Sequence, residues 1–213
     1  KTKDAKIMGM DKRIGSSFLK TSVGFGGSCF QKDILNLVYI ARSLGLENVS
    51  NYWEQILIIN RHQRNRFSKK IINCIKENNL SNKILMLGWA FKKDTNDSRE
   101  SASIYVADKL IKNKIKIDVY DPRVLESQII FDLSEINKDF EPNMINFVND
   151  PIIDISGYNV IGIMTEWDEF KSYNWNEIFD KIKKPAYVFD GRNILEKNEM
   201  KNIGFNYIGI GRG

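Results

Sequence analysis

From about residue 81 onward, short apolar runs alternate with helical stretches, and this alternation restricts the fold more than any other feature. KILMLG is an apolar run stopped by Gly88. IKIDVYDP ends at Asp121 and Pro122. NVIGIMTEW, AYVFDGRN and GFNYIGIG follow as further runs. Helical patterns separate them, one over about residues 98–112 and another in DEFKSYNWNEIFDKI. Strands alternating with helices predict βαβ units, in which each crossover returns the chain to the same end of the sheet. The expected class is α/β with a parallel, doubly wound sheet. Residues 123–158 read as mostly irregular, with a strand at INF or VLESQIIF.

In such a sheet ligands bind beyond the carboxyl ends of the strands. Four runs end in polar or charged residues: GWAFKK, YDP, TEWD and DGRN. The set points to one functional edge more strongly than any single cluster does.

Ahead of residue 81 the chain reads helical. QKDILNLVYIARSLG carries Ile34, Leu35, Val38 and Ala41 at helical spacing, then a glycine stop. Residues 49–79 repeat apolar positions every three or four residues, apolar at both ends and polar in the middle. One long helix is expected, of a kind that bridges two domains or two subunits.

Composition narrows the function classes. The 213 residues are 42% hydrophobic, enough for one large domain or two packed smaller ones. No apolar run approaches the roughly 20 residues that span a bilayer, and the N-terminus lacks an apolar signal region, so no membrane partner is expected. Two cysteines are too few for a disulfide framework, and reduced thiols in the cytoplasm are the simplest expectation. With one histidine and no CxxC pair, no metal site is expected. His62 lies in the polar stretch RHQRNR and reads as a solvated helix residue. The net charge is +5, but acidic residues interrupt nearly every basic stretch, as in KKDTNDSRE. That pattern favours a small polyanion such as a nucleotide sugar over a nucleic acid.

Three constellations carry chemistry. Gly24, Gly26 and Gly27 precede Ser28 and Cys29, with a helix expected to start near Gln31. Glycines let the backbone approach a ligand closely. A cysteine at a helix start feels the positive end of the helix dipole, which favours the thiolate and its nucleophilicity. Lys32 and Asp33 follow about one turn on, adding a cation and a group able to position water. The other reading of Cys29, a buried structural cysteine in a tight turn, stands equally on pattern alone. Second, GWAFKKDTNDSRES follows a strand but lacks the GxGxxG dinucleotide fingerprint. Lys92, Lys93 and Arg99 suit a nucleotide diphosphate or a remote cofactor phosphate, or simply a solvated basic turn. Third, Arg192 in DGRN offers a fork for phosphate or sugar hydroxyls. Arg13 is indistinguishable from surface charge, and Cys74 reads as core packing.

GFGGSCFQKD, GWAFKKDTNDSRESAS, TEWDEF and DGRN occur in the order and spacing of the UDP-glucose/GDP-mannose dehydrogenase family, and most resemble its UDP-glucose 6-dehydrogenases of animals and plants. The resemblance runs from about Met10 to the end. It implies a partial helical central domain over 1–80, carrying the catalytic cysteine loop and a dimerisation surface. A Rossmann-like parallel-sheet UDP-binding domain would occupy 81–213. It also implies that the family's N-terminal NAD-binding domain is absent from this chain, as in a truncated or proteolysed protein.

The implied reaction oxidises C6 of UDP-glucose twice, using two NAD⁺ and one water, to UDP-glucuronate. By position, Cys29 is the nucleophile and Asp33 helps activate the hydrolytic water. Lys20, Thr21, Ser22, Val23, Gly24, Phe25 and Gly26 line the sugar-nucleotide site with Phe91, Lys92, Arg192 and Arg13, the last expected across a subunit interface. Cys29, Phe30, Gln31, Lys32 and Arg99 face NAD, whose site lies mostly on the absent domain. Homo-oligomers would form through the central helical domain, and the chain alone is expected to be inactive. Trp89 stands where the family usually has phenylalanine. The alternatives are a non-catalytic UDP-sugar-binding domain and a dehydrogenase of another nucleotide sugar.

Overall fold

A computed structural model of the chain describes residues 3–16, 19–153 and 155–211. Helix α1 (Lys3–Met8) is followed by the antiparallel pair α2 (Ser28–Ser43) and α3 (Glu47–Glu77), joined by a tight turn at Gly45, φ +71°. Six strands follow: β1 (Lys83–Leu87), β2 (Lys116–Tyr120), β3 (Ile145–Phe147), β4 (Val160–Ile163), β5 (Tyr187–Asp190) and β6 (Asn206–Gly209). Between them run α4 (Ala102–Ile111), α5 (Glu126–Ile136), α6 (Asp168–Ser172), α7 (Trp175–Lys181) and α8 (Lys197–Ile203).

The strands form one all-parallel sheet in the order β3-β2-β1-β4-β5-β6. The chain winds outward from β1 to β3, then returns to the other side of β1. The strand order therefore reverses between β1 and β4, and the crevice beyond their carboxyl ends is where such sheets bind ligands. The α/β class is as the alternation predicts.

β1 and β4 are buried along almost their whole length, as central parallel strands must be. Phe67, Ile71, Ile72 and Ile75, on the C-terminal half of α3, join the same core. Each buried side chain of that size contributes about 1.5–3 kcal/mol. The long helix is thus fastened to the sheet at one end only. Its other half packs against α2, with Arg42 paired to Glu54, and leaves Tyr52, Ile58 and Ile59 exposed on its outer face.

Four local expectations are corrected. Helix α2 begins at Ser28 rather than near Gln31, because Gly27 at φ +85° lets the chain turn directly into it. VLESQIIF is not a strand, and residues 123–158 are not mostly irregular. Ile129, Asp132 and Leu133 fall at helical spacing and are buried, which draws residues 126–136 into α5. DEFKSYNWNEIFDKI is two helices, because Tyr173 is extended and Asn174 restarts the helix by accepting from Glu177 N. The helix read over 98–112 starts only at Ala102, capped by Ser101.

Candidate active site

The glycine loop lies across the strand ends at the point of reversal. Val23 is buried, and its Cγ2 is so close to Gly191 that a Cβ there would meet it at 2.5 Å. A Cβ at Gly26 would meet Glu100 O at 2.6 Å and Phe91 Cβ at 3.0 Å. The glycines at 26 and 191 are therefore sites of close backbone approach. Gly27 N donates to Arg99 O at 2.9 Å, tying the loop to the turn after β1.

Cys29 follows, exposed, on the first turn of α2. A buried structural role for this cysteine is thereby excluded. Ser28 Oγ lies 3.8 Å from its Sγ. Phe30 and Phe25 stack edge-to-face beside it, centroids 4.7 Å apart. Lys32 and Asp33 are exposed on the same helix. Arg99 closes a bidentate pair with Asp97 at 2.9 and 2.7 Å, which raises the arginine's pKa; the Cys29 sulfur adds a smaller contribution of the same sign.

Across the loop stands Arg192. Its Nη1 donates to Ser22 Oγ at 2.6 Å, and Ser22 in turn donates to Gly24 O at 2.7 Å. The same guanidinium is ion-paired with Glu166, just beyond β4. Lys92 is exposed, 5.4 Å above the Phe91 ring. Lys93 pairs with Asp168 instead.

Not every polar strand end is available to a ligand. Asp121 accepts from Trp89 N, Ala90 N, Trp167 Nε1, Arg123 N and Val124 N. Asp190 accepts from Arg192 N, Leu195 N and Tyr207 Oη. Thr165 Oγ1 donates to Ala90 O at 2.6 Å. These groups brace the edge, where Glu166 and Arg192 are paired with each other and Lys92 is exposed. Trp89 is fully buried, with its indole N–H donated to Asp132 at 2.9 Å.

The structure thus brings together residues 22–26, Cys29, Phe91 and Arg192. Lys20 and Thr21 continue the loop, the lysine exposed. Gln31, Lys32 and Arg99 line a separate cavity of about 410 Å³ with Ser28, Leu35 and Tyr105. Arg13 stays apart: its side chain is 88% exposed, and its hydrogen bonds go to Asp11. Pattern reading passed over Asn60 and Arg64, and took in Glu100 and Glu166 only as members of GWAFKKDTNDSRES and TEWD, without a role of their own. Asn60 and Arg64 sit in a uniformly polar stretch of α3, where only burial singles them out. Among the described residues no helix is long and apolar enough to cross a membrane.

A glycine loop with an exposed cysteine lies over the reversal point of a parallel sheet, and the chain belongs to the UDP-glucose/GDP-mannose dehydrogenase family: residues 3–62 match its central domain and 85–197 its UDP binding domain. Within that family it is similar to the UDP-glucose 6-dehydrogenase of Bos taurus, 45% identical over 213 residues, with 98% of this chain and 43% of the relative covered. UDP-glucose 6-dehydrogenase 1 of Arabidopsis thaliana is 42% identical over 224 residues, with 99% of this chain and 47% of the relative covered. The chain therefore spans less than half the length of these relatives. Among solved structures, a UDP-glucose dehydrogenase from Pyrobaculum islandicum superposes with a TM-score of 0.73 at 25% identity, covering 99% of this chain and 43% of that one. A GDP-mannose dehydrogenase from Pseudomonas aeruginosa shares the fold at a TM-score of 0.67 and 20% identity, covering 98% and 44%.

Proposed function

We propose that this chain carries the thiol and UDP-sugar portion of an NAD-dependent UDP-glucose 6-dehydrogenase, which oxidises UDP-glucose to UDP-glucuronate with two NAD⁺ and one water. Residues 1–80 are read as part of the central helical domain and 81–213 as the UDP-sugar-binding domain. The observation that carries the reading is the exposed Cys29 beside a loop held against Arg192 at the reversal point.

In this reading Cys29 Sγ adds to the C6 aldehyde as a thiohemiacetal, and after oxidation holds the acid as a thioester. Asp33, one helical turn on, positions and activates the water that hydrolyses it. The loop from Lys20 to Gly26, with Phe91, Lys92 and Arg192, binds the sugar nucleotide, and Arg13 serves a neighbouring subunit's site. NAD, when bound, supplies the hydride acceptor for both oxidations. Lys32 and Arg99, with Phe30 and Gln31, are this chain's residues for holding it. The cavity of about 410 Å³ beside Lys32 and Arg99 is also lined by Glu100, Asp132 and Glu135 and by apolar Leu35, Ile104, Phe131 and Ile136. Asp97 pairs with the arginine, so this lining alone does not fit a pyrophosphate. Pairing of copies through the exposed faces of α2 and α3 completes the assembly. Two unpaired thiols suit a cytoplasmic setting.

The test is protection. UDP-glucose is expected to slow iodoacetamide alkylation of Cys29 at concentrations where GDP-mannose does not. Equal rates with and without UDP-glucose would overturn the reading. The 213-residue chain contains no GxGxxG sequence, and no steady NADH production is expected from it alone.

A further inference from the structure

Arg64 is the one buried cation among the described residues, its side chain 7% exposed. It projects from α3, on the polar stretch that pattern reading left as solvated surface. A single nitrogen, Nη2, donates to two main-chain carbonyls: Phe25 O at 2.7 Å and Glu100 O at 2.9 Å. The guanidinium lies 4.1 Å from the Tyr105 ring centroid and 3.9 Å from the Glu100 carboxylate. Tyr105 Oη donates to that carboxylate at 2.6 Å. Nε is buried with no acceptor among the described residues.

One turn earlier, Asn60 grips the same loop residue from both sides. Its Oδ1 accepts from Phe25 N at 2.9 Å and its Nδ2 donates to Phe25 O at 3.1 Å. Gly24 sits flush against this pair: a Cβ there would meet Asn60 Oδ1 at 2.5 Å and Arg64 Cγ at 3.2 Å.

Burying a cation is costly, and a well-packed apolar residue serves stability as well or better. Leaving one of its donors unsatisfied adds to the cost, a feature found where geometry matters more than stability. What this cation does that an apolar residue cannot is hold two carbonyls from separate segments on one point. Those segments lead directly to the thiol. Phe25 precedes Gly26, Gly27, Ser28 and Cys29. Glu100 follows Arg99, whose carbonyl accepts from Gly27 N at 2.9 Å, two residues before Cys29.

We propose that Arg64 is a positioning residue, which holds the loop leading to the Cys29 thiol against the turn after β1 by clamping the Phe25 and Glu100 carbonyls together. The planar guanidinium presents donors in a fixed fork, whereas lysine offers a point charge on a flexible stem. The proposal takes Cys29 as the reactive thiol of the proposed reaction, but its test needs no turnover.

The experiment measures alkylation rates of Cys29 and Cys74 by peptide mass spectrometry in R64K, N60A and the double variant, with circular dichroism and thermal melts as folding controls. R64K is expected to fold, to slow Cys29 about tenfold and to leave Cys74 unchanged. The double variant is expected to be no slower than the slower single variant, because both remove one effect. Multiplicative slowing, an unchanged Cys29 rate in folded R64K, or faster Cys74 labelling indicating general loosening would each overturn the proposal. Should R64K not fold, N60A frees only the Phe25 side of the clamp and carries the test by itself: slower Cys29 with Cys74 unchanged supports the proposal, and an unchanged Cys29 rate overturns it. Failure of UDP-glucose to protect Cys29 would remove the dehydrogenase reading while leaving this coupling intact.

Discussion

Arg192 Nη1 donates a 2.6 Å hydrogen bond to Ser22 Oγ, joining the loop ahead of the thiol to the end of β5. The same guanidinium is paired with Glu166, and the two side chains are only 10% and 14% exposed. Removing one partner of such a pair strands the other charge in a poorly solvated place. Arg192→Ala is expected to lower stability by about 2–4 kcal/mol, and adding Glu166→Gln to recover part of that loss. Urea unfolding of the three proteins measures it. A loss within about 0.5 kcal/mol would mean that the pair behaves as a solvated surface bridge.

Cys29 and Cys74 differ in exposure and in surroundings. Cys74 is half-buried, and burial, with a smaller effect from Glu77, pushes its thiol up to about 11. At pH 8 such a thiol is only ~0.1% thiolate. Iodoacetamide is therefore expected to label exposed Cys29 at least ~10-fold faster than Cys74. Time-resolved peptide mapping reads the order, and labelling of Cys74 first would contradict it.

Gly26 and Gly157 form a matched pair. A Cβ at Gly26 would stand 2.6 Å from Glu100 O, a backbone atom that cannot simply move aside, whereas nothing lies within 4 Å of one at Gly157. Gly26→Ala is expected to cost about 1–3 kcal/mol by forcing the loop off the turn. Gly157→Ala should be close to neutral. Equal melting temperatures for the two variants would show that the loop is not seated against that turn.

Asp168 has a pH signature. The Lys171 ammonium, and after it that of Lys93, holds the carboxyl down to about 2. The unfolded chain titrates this group near 3.9. A carboxyl with a depressed folded-state pKa stabilises above the unfolded value, and the contribution fades as pH falls through the folded one. The difference in melting temperature between the wild type and Asp168→Asn is therefore expected to be largest above about pH 4 and to close toward pH 2. Because these charges face water, the difference should shrink in high salt. A gap that widens in acid would have the wrong sign.

Much of this protein is determined by local information in the chain. Alternating apolar runs and helical periods define the α/β class and the parallel sheet, because strand and helix periods arise from neighbouring residues alone. The glycines before Cys29 mark the loop for the same reason: the need for a positive φ at Gly27 is local. VLESQIIF was not legible, since an apolar run of that length suits strand or helix and only the facing core at Ile129 and Leu133 decides. The site divides along the same line. Cys29, Phe91 and Arg192 can be found in contiguous motifs. Glu166 as the partner of Arg192, and Asn60 and Arg64 as the clamp on Phe25, cannot. Their polar neighbours look alike in one dimension, and what distinguishes them is burial against carbonyls 35 and 39 residues away. Sheet order and helix docking create those meetings, so tertiary structure alone decides which charge is solvated and which holds the thiol loop in place.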